Sequence, residues 1–177
     1  MQQYNSVSKF LHWLVVFLVV IEFLIAWTMP GLRFIDHPTI LISYHFSFGV
    51  AILLVMIIRL LWRLLHPAPP TLIGTPIWQN LIAHATHYLL YLLLIVTPLV
   101  GWTWASARGW DINLFGFIPI PPIVPAGSEQ GMIAGTLHKT FATLILFLIA
   151  LHMGAALFHK FILKDSIMQR MLRSPNV

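Results

Sequence analysis

The stretch Gly135–Lys160 reads GTLHKTFATLILFLIALHMGAALFHK. It is an apolar run long enough to cross a bilayer, which takes about 20 residues. It carries His138 near one end and His152 near the other, 14 positions apart (152 − 138). A helix that rises about 1.5 Å per residue returns after 14 residues to almost the same face, about 21 Å further along its axis. Two imidazoles therefore point the same way at two depths of one membrane helix. Whatever the chain folds into has to give both of them something to do.

The rest of the chain is built to the same scale. Of its 177 residues 59% are hydrophobic and 8% charged, against about 25% charged in soluble domains. The apolar residues come in continuous runs, without the period of two that marks a membrane barrel. The expected fold is an all-α integral membrane protein, a four-helix bundle in the bilayer that forms one domain over residues 1–177. The absence of cysteine excludes disulfides, thiolate metal sites, iron–sulfur clusters and covalently attached haem. The basic residues cluster at helix ends, so the formal charge of +5 is a matter of topology and gives nucleic-acid binding no support.

Four spans are expected, at roughly 8–29, 39–65, 78–104 and 131–163. The first is too long, and too poor in a following small-x-small site, to be a cleaved leader. Pro67, Pro69, Pro70 and Pro76 keep the second connection from becoming helix. Trp102 and Trp104 read as interface anchors at the end of the third span. The one long connection, about 105–134, contains FGFIPIPPIVP, apolar but broken by proline, and is expected to lie folded on the membrane surface. Lys9, Arg59, Arg63, Lys160, Lys164, Arg170 and Arg173 fall on one side and Arg33, Arg108 and Lys139 on the other. Seven against three places both termini in the cytoplasm, and four spans satisfy that parity.

This topology gives the histidines depths. His45 and His138 fall at the outer level, His12 and His152 at the inner level. Each level has one pair, drawn from two different helices. Haem iron takes two axial ligands on opposite faces, and facing helices of a bundle supply them. Two bis-histidine b-type haems stacked across the membrane are the simplest chemistry that uses the pattern. For any single histidine, a hydrogen bond between helices is the competing reading. Zinc or copper needs three or four ligands at one level, which two per level does not supply.

Other residues are open to two readings. His84 and His87, at i and i+3, and His159, two turns beyond His152, read as a quinone headgroup site or propionate donors, or else as interface hydrogen-bonding groups. Arg59 follows His45 by 14 positions (59 − 45) and so faces the inner level, where a guanidinium suits a haem propionate. The other reading makes it, with Arg63, a snorkelling pair at the helix end. Lys139 either draws an anion to the outer haem edge or marks the interface. Glu22, mid-span in the first helix, is costly to bury charged. Gly49 and Gly101 suit close approach of a macrocycle or small-residue helix packing. His37 and His66 sit in connections and read as solvated.

The four spans, His12-Trp13, His45, His138 with His152, AHATHYLLY at 83–91 and RLLWRLLHPAPP at 59–70 together resemble the bacterial cytochrome b-561 family over nearly the whole chain. The wider group includes the cytochrome b subunits of formate dehydrogenases and nickel–iron hydrogenases. The resemblance implies a di-haem cytochrome of the bacterial inner membrane, with His12, His45, His138 and His152 as axial ligands, exchanging electrons with quinone. One member of the family is a superoxide oxidase that reduces ubiquinone.

The expected activity is therefore electron transfer from an outer, periplasmic donor, expected to be superoxide, to ubiquinone bound inside near His87, His84 and His159. Lys139 and Arg108 would present a weakly cationic outer face to the donor. The main rival is a membrane-anchor cytochrome that serves a partner dehydrogenase docked on the outer connection. A histidine-based proton or metal transporter would need a wet polar path, which spans this apolar do not offer.

Overall fold

Burying apolar runs of this length leaves every backbone N–H and C=O to be satisfied within its own segment, which helix alone achieves. The computed structural model, which describes residues 3–31, 37–70 and 74–172, has four helices long and apolar enough to cross a bilayer. They are α1 (Ser6–Thr28), α2 (Ile40–Leu65), α3 (Ile77–Ala107) and α4 (Glu129–Phe158), the last continued by a π-helical turn, His159–Leu163. Arg33, Asp36 and Arg173 lie outside the described residues. Asn5 caps α1 by accepting from the Ser8 N–H at 2.8 Å, and Thr39 caps α2 by accepting from Ile42 at 3.4 Å, so orphan N–H groups at these ends are paired. Lys164 adopts a left-handed conformation, φ 52°, and ends the turn after α4.

The helices run up and down in chain order, α1 beside α2, α2 beside α3, α3 beside α4. At one end, which we call the terminal end, the two chain ends meet. Tyr4 N donates to Arg170 O at 3.4 Å, Arg170 Nη2 to Pro70 O at 2.8 Å and Trp13 Nε1 to Met171 O at 3.4 Å. A four-residue helix, α5 (Gln169–Leu172), carries the tail. His66, expected in solvent, is the C-cap of α2 and stacks on Trp62 with centroids 3.9 Å apart. His37 is exposed as expected.

The opposite end departs most from expectation. α3 runs on to Ala107 and α4 begins at Glu129, so the connection is 108–128, shorter than 105–134. Close packing explains the extra turn: Ala105 and Ala107 are buried, and Ala107 lies against Gly131 of α4. The connection also holds an antiparallel hairpin, β1 (Ile112–Leu114) and β2 (Ile118–Ile120), paired Ile112 to Ile120 and Leu114 to Ile118. Phe115 (φ 49°) and Gly116 (φ 80°) turn it, with the positive φ that hairpin turns need. Two residues read as interface anchors are half-buried against other parts of the protein. Trp102 Nε1 donates to Pro121 O at 3.0 Å, and Trp104 wedges against Gly135.

At mid-height, Val15, Leu18 and Val19 of α1 and Ile52 and Met56 of α2 form a buried cluster with Leu94 and Ile95 of α3 and Ile149 of α4 packed against it. Beside it, Leu93 packs with Ile145 and Leu148. This apolar layer lies between residues 12 and 22, 45 and 59, and 138 and 152 on their helices, so polar groups collect above and below it.

A Cβ on Gly135 would lie 2.5 Å from the Trp104 ring, whereas one on Gly154 meets nothing within 4 Å. Gly135→Ala is therefore expected to destabilise by about 1–3 kcal/mol through overpacking, and Gly154→Ala to be silent. Thermal unfolding in detergent checks this; equal midpoints for the two variants would contradict it.

Candidate functional site

Two groups of imidazoles form, one on each side of the apolar layer. Toward the hairpin end, His45 of α2 and His138 of α4 have ring centroids 5.8 Å apart with planes at 82°. Toward the terminal end, His12 of α1 and His152 of α4 are 6.2 Å apart at 72°. With metal–nitrogen bonds of about 2 Å and an imidazole radius of about 1 Å, two ligands on one iron have centroids about 6 Å apart. Both pairs have the spacing of two axial ligands.

The second ring nitrogens are informative. His138 Nδ1 donates to the Thr97 carbonyl at 3.0 Å, which leaves Nε2 with its lone pair free to bind a metal. Gly101, one turn along α3 from Thr97, makes this possible: a Cβ there would lie 2.8 Å from His138 Nδ1. His45 Nδ1 lies 3.0 Å from Glu22 Oε1, a close polar contact without hydrogen-bond alignment. Gly49 leaves room for that carboxylate, since a Cβ there would be 3.3 Å from Oε1. The two glycines thus make room for His138 and for the acidic neighbour of His45. A cavity of about 410 Å³ opens between the helices here, lined by Glu22, His45, Gly101, Trp104, His138 and Lys139 among mostly apolar side chains. That volume is in the range of cofactor sites.

The group at the terminal end has a third member. His87 of α3 lies 5.1 Å from His152, nearer than His12 and closer than two ligands of one iron would be. Its Nδ1 donates to its own helix at Ala83 O, 2.7 Å. Arg59 approaches from α2: Nε donates to Tyr91 Oη at 2.9 Å, while Nη1 is buried without a hydrogen-bond partner among the described residues. An orphaned guanidinium nitrogen beside a histidine pair fits a carboxylate such as a haem propionate. The residues present fit haem on spacing, ring tautomer and this unsatisfied donor. Among the described residues no three His, Asp or Glu side chains converge to hold a bare metal ion.

His84, His87 and His159 were expected around one quinone, and each has a different partner. His84 is exposed and bonds to Asn80 O at 2.7 Å. His87 joins the imidazole group. His159 Nδ1 pairs with Asp165 Oδ2 at 2.5 Å. Lys139 is exposed, with Nζ 5.4 Å from the Trp104 ring. Arg63 lies 5.7 Å over Tyr4 and Arg108 4.4 Å over Trp110. Sequence reasoning left Glu22 without a role and missed Thr97, Tyr91 and Asp165. Matching depths for the one intramembrane acid, as for the histidines, would have set Glu22 beside His45. A backbone carbonyl acceptor such as that of Thr97 has no sequence signal.

Comparison with known proteins gives one consistent result. The family model described as prokaryotic cytochrome b561 matches residues 3–174. Cytochrome b561 homolog 2 of Escherichia coli (strain K12) is 32% identical over 174 residues, 97% of this chain and 92% of that protein. A Yersinia pestis protein named probable superoxide oxidase CybB is 33% identical over 97% of this chain and 96% of its own length. Cytochrome b562 of Cereibacter sphaeroides is 27% identical over 96% and 95%.

Because Gly101 abuts the His138 ring, Gly101→Ala is expected to force that ring off the Thr97 carbonyl and to lower haem content per chain. Haem-to-protein ratio after purification measures it. Unchanged content, with an unchanged spectrum, would contradict this account of the glycine.

Proposed function

The chain belongs to the prokaryotic cytochrome b561 family, and from that premise we propose that it is a di-haem superoxide:ubiquinone oxidoreductase of the bacterial inner membrane. Membership brings b-type haem, a multi-pass membrane setting and electron transfer across the bilayer. The finer reading makes residues 1–177 one domain, with the terminal end cytoplasmic and the hairpin end periplasmic. The observation that carries it is the pair of imidazoles on each side of the apolar layer, each pair at the spacing of two axial ligands.

His45 and His138 hold the outer haem and His12 and His152 the inner one. Bound there, haem supplies a one-electron carrier at each level. The Thr97 carbonyl fixes the His138 ring through Nδ1, and Glu22 Oε1 lies 3.0 Å from His45 Nδ1, which leaves Nε2 of His138 free for a metal. Arg59, held by Tyr91, would offer its unpartnered Nη1 to a propionate of the inner haem. The layer of Val15, Leu18, Val19, Ile52 and Met56 keeps water from the gap between the levels. Lys139, beside Trp104 at the cavity, and Arg108 give the outer face positive charge, which draws a small anion by long-range attraction. His87 and His159, the latter oriented by Asp165, serve ubiquinone and its protons, with His84 one turn before His87. The stoichiometry closes with two superoxide anions, each losing one electron and leaving as dioxygen. Ubiquinone takes both electrons and two cytoplasmic protons to become ubiquinol. The name of the Yersinia pestis relative supports superoxide as the donor.

Mixing superoxide with the haem-loaded protein tests the reading. Haem reduction is expected to outrun spontaneous dismutation and to slow as ionic strength rises. Lys139→Ala is expected to lower the rate several-fold at low salt and little at high salt. Reduction no faster than dismutation removes the anion would exclude superoxide as the donor.

A further inference from the structure

The hairpin reaches deeper than a surface loop would. The Phe115 N–H at its tip donates to Ser47 Oγ of α2 at 2.8 Å, and the Phe115 ring packs on Phe48 with centroids 5.7 Å apart. Ser47 is 1% exposed and stands two residues further into α2 than His45. Arg63, packed over Tyr4 at the terminal end, marks the other boundary of the span. About 20 residues from Arg63, one bilayer core, end near Ser43, which places Ser47 about 6 Å inside. The tip is therefore level with the His45–His138 pair. Its side chains nevertheless face outward: Phe117 is 87% exposed, Ile118 59% and Phe115 49%.

We propose that Ile112–Ile120 is a re-entrant hairpin whose tip is immersed in the lipid of the leaflet at this end. It carries Phe117 and Ile118 into the acyl chains while its inner face walls the cavity. The composition suits that medium, since no charged residue occurs from Ile112 to Ser128. The backbone suits it too. Lipid tolerates irregular backbone only where the polar groups are satisfied. Phe115 N is held by Ser47, Gly116 N donates to Asn113 O at 3.3 Å and Phe117 N to Leu114 O at 2.9 Å. Pro119 sits in the outer strand opposite Asn113. Having no N–H, it occupies the register position where a donor would point away from the ladder. Pro121 and Pro122 follow, and the next N–H, of Ile123, donates to Ser106 Oγ at 3.2 Å. On the inner face, Trp110, Ile112 and Ile120 line the cavity. The lipid-held element is thus the wall of the His45–His138 site.

The chain has no cysteine, so single labels are unambiguous. Nitroxides are placed by Phe117→Cys and, separately, Ile118→Cys in the full haem-loaded chain, reconstituted in phosphatidylcholine–phosphatidylglycerol vesicles. Leu54→Cys, 55% exposed at mid-span, is the lipid reference and Gln130→Cys the water reference. At 117 and 118 the ratio of oxygen to nickel-chelate accessibility is expected to exceed that at 130 several-fold and to approach that at 54. Chelate access equal to that at 130 would overturn the proposal in favour of a surface loop. Exclusion of both probes would overturn it in favour of a protein partner over the tip.

Discussion

An imidazole inside an apolar bundle has two ring nitrogens to satisfy, and the arrangement of all four helices follows from how that is done. α4 cannot supply partners to both of its own histidines, because His138 and His152 are about 21 Å apart along its axis. Neighbouring helices have to bring them. α3 offers the Thr97 carbonyl at one level and His87 at the other; α2 brings His45 and Arg59; α1 brings Glu22 and His12. The glycines at 49 and 101 stand where these groups crowd. Even the hairpin is part of this closure, since Ile112 and Ile120 line the cavity.

The same requirement makes the two levels different in character. The His45–His138 pair has neighbours outside itself, a backbone carbonyl that holds His138 and a carboxylate beside His45, and opens on a roomy cavity beside Lys139. The His12–His152 pair is crowded by a third imidazole and by a guanidinium held on a tyrosine. Between them lies a packed layer of valine, leucine, isoleucine and methionine with no polar side chain in the cluster. A one-electron carrier on each side of such a layer would exchange electrons through dry protein, with charge stabilised only where partners exist.

Much of this was legible in the sequence, because two simple periodicities carry it. Apolar run length gave the four spans to within a few residues at most ends, and the 14-residue spacings gave His138 with His152 and His45 with Arg59 a common face. Depth, from charge counting, sufficed to match His45 with His138 and His12 with His152, which the fold brings into contact. What escaped depends on tertiary packing or on backbone groups. The last turn of α3 forms because Ala107 packs on Gly131, and propensity at the end of a helix does not report that. The hairpin escaped because a Phe-Gly turn between proline-broken segments carries no strand periodicity. Thr97 acts through a carbonyl that every residue has. Trp102 and Trp104, which look like interface residues by type, are drawn inward by Pro121 and by the space at Gly135.

The claim on which everything else rests is that the imidazoles pair by depth, each pair on one haem. Redox-difference spectra of the wild type and of His12→Ala, His45→Ala, His138→Ala and His152→Ala test it directly. The account predicts two low-spin b-type haems per chain in the wild type. It also predicts loss of the same haem from His12→Ala and His152→Ala, and of the other from His45→Ala and His138→Ala. Loss sorted by any other pairing, or a purified chain without haem absorbance, would contradict it.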